Sequence, residues 1–88
     1  MELEELFSSK LRMKILKLLY ELGALNVSDV ARRLGSNFAA TANHLKILAA
    51  EEILQERSYG RVRMYSFNEA SGRAKAVKNL IDVWEEKS

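Results

Sequence analysis

The sequence contains no cysteine and a single histidine, His44. The first absence excludes disulfides, thiolate metal ligands, thiol nucleophiles and cysteine-based redox sensing together. A lone histidine builds no metal cluster, and no Ser-His-Asp arrangement has support in the sequence. No thiolate-bound metal, no cofactor and no catalytic residue is therefore expected, and the chain reads as non-enzymatic. Asp82, Glu85 and Glu86 read as the solvated face of a helix end. No apolar run approaches the ~18–20 residues of a membrane span. The opening Met1-Glu2-Leu3-Glu4-Glu5 is acidic where a secretory signal carries positive charge. The expectation is a cytoplasmic protein with no membrane partner.

What is present is a globular composition, 48% hydrophobic and 30% charged, too apolar for a disordered chain. At 88 residues, one domain over 1–88 is expected, burying roughly 60–65% of its unfolded surface. So small a core gains from a second subunit. The net charge of +2 says little, but its distribution is uneven. Ser8 to Ala49 holds seven bases (Lys10, Arg12, Lys14, Lys17, Arg32, Arg33 and Lys46) against Glu21 and Asp29. Arg57 to Asn68 adds three arginines and no acid. The remaining acids lie at Glu2, Glu4 and Glu5, at Glu51, Glu52 and Glu56, and toward the C-terminus.

Leu11, Ile15, Leu18, Leu19 and Leu22 recur on one helical stripe that starts near a Ser8/Ser9 cap and stops at Gly23. Leu3, Leu6 and Phe7 form a separate short apolar face, read as a flanking helix over 1–7. Ala24-Leu25-Asn26-Val27 is too short for a helix and leads to Ser28, which caps a short helix from Asp29 to Leu34 with Val30, Ala31 and Leu34 buried. Gly35 is placed to end that helix in the left-handed conformation. Ser36 or Asn37 caps a third helix to about Ala50, with Phe38, Thr41, Ala42, Leu45, Leu48 and Ala49 on its buried face. Two helices joined by a short Gly-containing turn are the helix-turn-helix pattern, and the second would be the recognition helix. Residues 53–59 and 62–67 are β-prone runs around Gly60-Arg61, a hairpin or wing. Residues 69–87 return to a helical period, with Ala70, Ala74, Val77, Leu80, Ile81 and Trp84 on one face. The expected class is α+β and mostly helical: a winged helix-turn-helix with a two-stranded wing and flanking N- and C-terminal helices.

The outer face of the third helix carries Ala39, Ala40, Asn43, Lys46 and Ile47, bordered by Asn37 and His44. Short side chains let a helix backbone approach base edges in the major groove of double-stranded DNA. Asn43 suits adenine N6 and N7, Lys46 suits a guanine or a phosphate, and an alanine methyl suits a thymine methyl. His44 reads as a hydrogen-bonding or phosphate-contacting residue. Arg57, Arg61 and Arg63, at and near a hairpin tip where no neutralising acid is expected, suit a phosphate backbone or a narrow minor groove. A plain solvated helix face and a basic edge that guards against aggregation are the blander readings of these residues. Trp84, with Val77, Leu80 and Ile81, is too much apolar area for an exposed terminal helix. With Leu3, Leu6 and Phe7 these residues are expected to form a homodimer interface.

Arg12-Met13-Lys14-Ile15-Leu16-Lys17-Leu18-Leu19 resembles the arginine-led second helix of the ArsR-type winged-helix family. Ala42-Asn43-His44-Leu45-Lys46-Ile47-Leu48 resembles that family's Ser-x-His-Leu-x-x-Leu recognition helix. Gly60-Arg61-Val62-Arg63-Met64-Tyr65-Ser66-Phe67 is similar to its wing. The resemblance covers nearly the whole chain and implies a dimer of winged helices, joined by N- and C-terminal helices, that binds palindromic operators. It departs from the metal-sensing members at Ala24-Leu25-Asn26-Val27-Ser28-Asp29-Val30, where Asn26 and Ser28 stand at the thiolate positions. Ala42 replaces a serine, and Glu52 stands where a helix-ending glycine is common. The function expected is sequence-specific DNA binding by a homodimeric transcriptional regulator, a repressor. The rival is a winged-helix protein-interaction or assembly module, which has no need of clustered arginines.

Overall fold

A computed structural model describes residues 1–86. The elements run α1 (Leu3–Phe7), α2 (Lys10–Leu22), β1 (Leu25–Asn26), α3 (Val27–Leu34), α4 (Phe38–Ala50), β2 (Leu54–Tyr59), β3 (Val62–Phe67) and α5 (Gly72–Trp84). The winged helix-turn-helix read from the sequence is the fold observed. Its core is formed by Ile15, Leu16, Leu19, Val30, Leu45, Leu48, Leu54 and Tyr65, all essentially inaccessible to solvent. Among the described residues, no helix is long and apolar enough to cross a membrane.

α2 is the central helix and touches α1, α3, α4, α5 and β3. Ser9 caps it, its hydroxyl accepting from Arg12 N at 3.1 Å. Because neighbours surround it on several sides, its buried sector is not the expected stripe. Arg12, Ile15, Leu16 and Leu19 are buried, Leu11 and Leu18 are half-buried, and Leu22, at the open end beside Gly23, is exposed.

α3 begins two residues earlier than expected, because Asn26 and not Ser28 is the cap: its side-chain oxygen accepts from Asp29 N at 2.8 Å. Asn is as good a cap as Ser, and Val27 and Ser28 then enter the first turn. At the other end Gly35 adopts φ +62°. Ser36 N bonds to Ala31 O at 2.9 Å and Gly35 N to Arg32 O at 3.3 Å, the paired bonds of a Schellman end. α4 ends the same way without glycine. Glu52 stands at φ +63°, with Ile53 N bonded to Leu48 O at 3.1 Å and Glu52 N to Ala49 O at 3.0 Å. Ile53, buried beside Leu48 in the core, supplies the apolar contact that accompanies this motif; β2 accordingly starts at Leu54, one residue later than expected.

The wing belongs to a three-stranded antiparallel sheet of order β1-β3-β2, not a two-stranded one. Leu25 pairs with Tyr65 and Asn26 with Met64, so the stretch expected to be a mere connector is a strand. β2 and β3 pair from Leu54↔Phe67 to Tyr59↔Val62. The two-residue loop has Gly60 at φ +63° and no positive φ at Arg61, a type II′ hairpin that needs glycine first.

α5 starts at Gly72, not Glu69. Asn68 forms a turn, its carbonyl accepting from Ser71 N at 3.0 Å and its side chain from Ala70 N at 3.2 Å, and Ser71 then caps the helix through Ala74 N. Ala70 therefore lies outside the helix, which ends at Trp84; Lys87, the expected end, falls outside the described residues. The acids of α5 are not simply solvated. Tyr20 donates to Asp82 at 2.6 Å and Lys17 pairs with Glu85, holding α5 against α2.

Candidate nucleic-acid interface

α4 is oriented by its inward side. Thr41, Leu45 and Leu48 are buried at one-turn spacing. Thr41 Oγ1 donates to the Asn37 carbonyl at 2.7 Å and is left to accept from Ser36 Oγ, also at 2.7 Å, because a hydroxyl has one proton to give. That pair locks the turn between the two helices. Ala39, Ala40, Asn43 and Lys46 are consequently exposed together. Asn37 is exposed too, but its side-chain oxygen caps α4 through Ala40 N at 3.0 Å, so only its amide NH2 is free to reach outward.

Phe38 departs from expectation, and His44 takes the hydrogen-bonding one of its two expected roles, from the inner border of the face. The helical period places Phe38 on the buried face, yet it is 56% exposed. It continues the Thr41/Leu45 stripe, but as the first residue of α4 it projects past the end of the core. His44 is half-buried and turned toward α2, with Nδ1 3.3 Å from Arg12 Nη2. Since the guanidinium can only donate, that nitrogen accepts and the ring is neutral. Burial first, and the Arg12 charge second, hold the imidazole below its usual pKa. Arg12 is itself buried. It donates from Nη1 to the Glu5 carbonyl at the end of α1, while its Nε has no partner. It thus joins α1, α2 and α4, a role that the sequence marked only as a basic residue.

The three wing arginines are all exposed but not equivalent. Side chains alternate across a strand, so Arg57 lies on the outer face opposite Met64, and Arg63 on the face shared with Glu56 and Tyr65. Arg63 is not free of acid as expected: its Nε is 3.5 Å from Glu56 Oε1. Glu56 also accepts from the Tyr65 hydroxyl at 3.2 Å, and burial, then this carboxylate, raise the phenol's pKa. Arg57 and Arg61 have no ion pair among the described residues. Elsewhere Lys17 pairs with Glu85 and Arg32 with Asp29, and Arg12 is buried. The unpaired cations of the N-terminal half, among the described residues, are Lys10, Lys14, Arg33 and Lys46.

The residues expected at a subunit interface divide in two. Leu6, Val77 and Ile81 are buried within the protomer's own core, whereas Leu3, Phe7, Leu80 and Trp84 are exposed. Val83, not singled out from the sequence, is exposed beside them on the outer side of α5. Phe7, Met13, Leu80 and Trp84 line an open cleft of ≈ 360 Å³ between α1, α2 and α5.

Residues 9–56 match the bacterial regulatory protein arsR family, a span that takes in α2, the helix-turn-helix and the start of the wing. The chain belongs to the arsR family. This arsR-family chain superposes on the crystal structure of the AntR antimony-specific transcriptional repressor with a TM-score of 0.78 at 23% identity, over 93% of this chain and 69% of that one. For the transcriptional repressor PagR of Bacillus anthracis the TM-score is 0.75 at 23% identity, over 92% of this chain and 86% of that one. For the homodimeric winged helix-turn-helix DNA-binding domain of Mb0332 from Mycobacterium bovis it is 0.72 at 21% identity, over 93% and 70%. At such identities these likenesses establish the fold. No curated protein matches the sequence significantly. The arsR-family helix-turn-helix makes the chain a DNA-binding transcriptional regulator.

Proposed function

We propose that the chain is a homodimeric regulator that binds double-stranded DNA sequence-specifically, with α4 in the major groove and the wing on the adjoining backbone, and that it acts as a repressor. The observation that carries this reading is the outer face of α4: Ala39, Ala40, Asn43 and Lys46 are exposed together, next to a hairpin whose tip arginine, Arg61, has no acidic partner among the described residues. Small residues permit close approach, the amide reads a base edge, and cations meet phosphate. Asn37, through its free NH2, Arg57 and Arg63 complete the contact surface. His44 acts from behind it, fixing the helix through Arg12.

The exposed apolar group of Phe7, Leu80 and Trp84 around one cleft, with Leu3 and Val83 also exposed on the same two terminal helices, supports self-association, since a chain of this size rarely leaves so much apolar surface in water. The homodimeric Mycobacterium bovis domain and the repressors AntR and PagR support the same assembly and direction of control. Two recognition helices on one face of straight duplex would lie about 34–36 Å apart, one helical turn. Selection of bound duplexes from a random pool, followed by titration at two salt concentrations, tests the reading. A palindromic consensus and a steep salt slope are expected; no enrichment over the input pool would overturn it.

A further inference from the structure

We propose that Phe38 is a specificity-determining residue that reads the 5-methyl group of one thymine in each half-site. This rests on the DNA-binding reading above and adds a base identity to it. Phe38 is the first residue of α4, and the N-terminal residues of a recognition helix are those that meet base edges. Its ring is 56% exposed at a cleft of ≈ 280 Å³, which it lines with Val27, Val62, Arg61 and Arg63. Val62 is itself 45% exposed.

The surroundings identify the occupant. No acid lines the cleft. Arg61, which has no acidic partner among the described residues, Arg63, whose charge Glu56 offsets only in part, and the N-terminus of α4, with no acid in its first turn and the partial positive charge of a helix start, do. An occupant of this place is a polyanion. Within the major groove of DNA the C5-methyl of thymine is the one base-edge group that projects apolar bulk, a cytosine offering only a C5–H at that place, and phenylalanine is a known partner for the methyl. Ala39 and Ala40, next on the helix, are too short to hold the backbone away from the bases. The one large apolar side chain of this helix end is therefore set against the one apolar group that projects into the groove.

The test begins with the consensus duplex from the random pool and replaces each thymine in turn by deoxyuridine, which removes only the methyl. Burying one methyl corresponds to about fourfold in affinity, from ~0.8 kcal/mol per buried carbon and 1.4 kcal/mol per factor of ten. Wild type is expected to lose about fourfold at one thymine of each half-site. Phe38→Ala should bind the thymine duplex more weakly and be indifferent to uracil there; Phe38→Leu should keep part of the discrimination. The idea is overturned if Phe38→Ala retains the wild-type methyl preference. It is equally overturned if that variant weakens every duplex alike while wild type ignores all thymine methyls, which would place the ring on sugar. Failure of the pool to enrich any sequence would instead overturn the DNA-binding reading on which it stands.

Discussion

α4 and α5 are both thirteen-residue helices, and each buries three residues at one-turn spacing: Thr41, Leu45 and Leu48 in one, Ala74, Val77 and Ile81 in the other. Each also leaves an aromatic ring in water at one end, Phe38 at 56% and Trp84 at 82% exposure. The difference lies in their neighbours. Phe38 shares its cleft with two valines and two arginines and no acid; Trp84 shares its own with Phe7, Met13, Leu80 and Ile81, and the charges there, Lys17 and Glu85, pair with each other. An exposed ring in a basic setting is matched to a polyanion with an apolar point on it, and one in an apolar setting is matched to another protein surface. Exposure alone would have assigned both rings the same meaning.

If that contrast is right, the largest effect belongs to the apolar end. Trp84→Ala should weaken dimerisation by about 2–4 kcal/mol, the range of a buried aromatic anchor. Sedimentation equilibrium of both forms reads this directly, and a wild-type monomer at micromolar concentration would remove the basis of the comparison. At the basic end, Asn43→Ala should relax preference at a single position per half-site by about 1–3 kcal/mol, seen on a panel of single-base variants. Arg61→Ala should weaken all sequences alike and reduce the salt slope by about one unit per subunit. Arg63→Ala should do so less, because Glu56 already offsets its charge; equal slopes for the two would show that this ion pair opens on DNA.

Two smaller effects concern the scaffold behind the basic face. Glu52→Gly relieves a left-handed residue that costs ~1–2 kcal/mol, against ~0.4–1 kcal/mol for the freer unfolded chain. A net gain of about 1 kcal/mol or less is expected, read as a higher urea midpoint at unchanged slope. His44 has a folded-state pKa below its ordinary 6.5, so the unfolded chain takes up its proton first. Stability from this group is whole above pH 6.5 and falls as pH drops through the folded value. His44→Gln should flatten that limb and leave the later carboxylate limb unchanged.

The helix-turn-helix was legible because each of its signals is local: the 3.6-residue period, Gly35 past the end of α3, and Asn37 ahead of α4. The wing was legible from two β-prone runs around Gly60. What escaped depends on partners distant in the chain. β1 is two residues long and exists only by pairing with β3, so no pattern within Leu25-Asn26 could announce it. Asn26 and Ser28 are both good caps, and the choice between them was set by how the chain leaves that strand. Periodicity placed Phe38 with the core, but a period carries no information on where the core stops. The Glu56–Arg63 pair needed the register of β2 on β3. Among the candidate site residues, Ala39, Ala40, Asn43 and Lys46 are exposed on one face as the helical period predicted. His44 turned inward because Arg12, thirty-two positions away, reaches it.

The short third strand also sets the mechanics of the wing. β1 supports β3 only as far as Met64, so the hairpin beyond it is a cantilever, rooted in the core at Leu54 and Phe67 and free at Gly60. Three residues, Arg61, Val62 and Arg63, reach past Met64, an overhang of about 10 Å at ~3.3 Å per residue. Bending along that overhang displaces the Arg61 tip by far more than it displaces Tyr65 at the root. If the wing meets DNA as proposed, its tip is the part that would follow variation in groove width and backbone path while the hydrophobic core that holds α4 in register stays still.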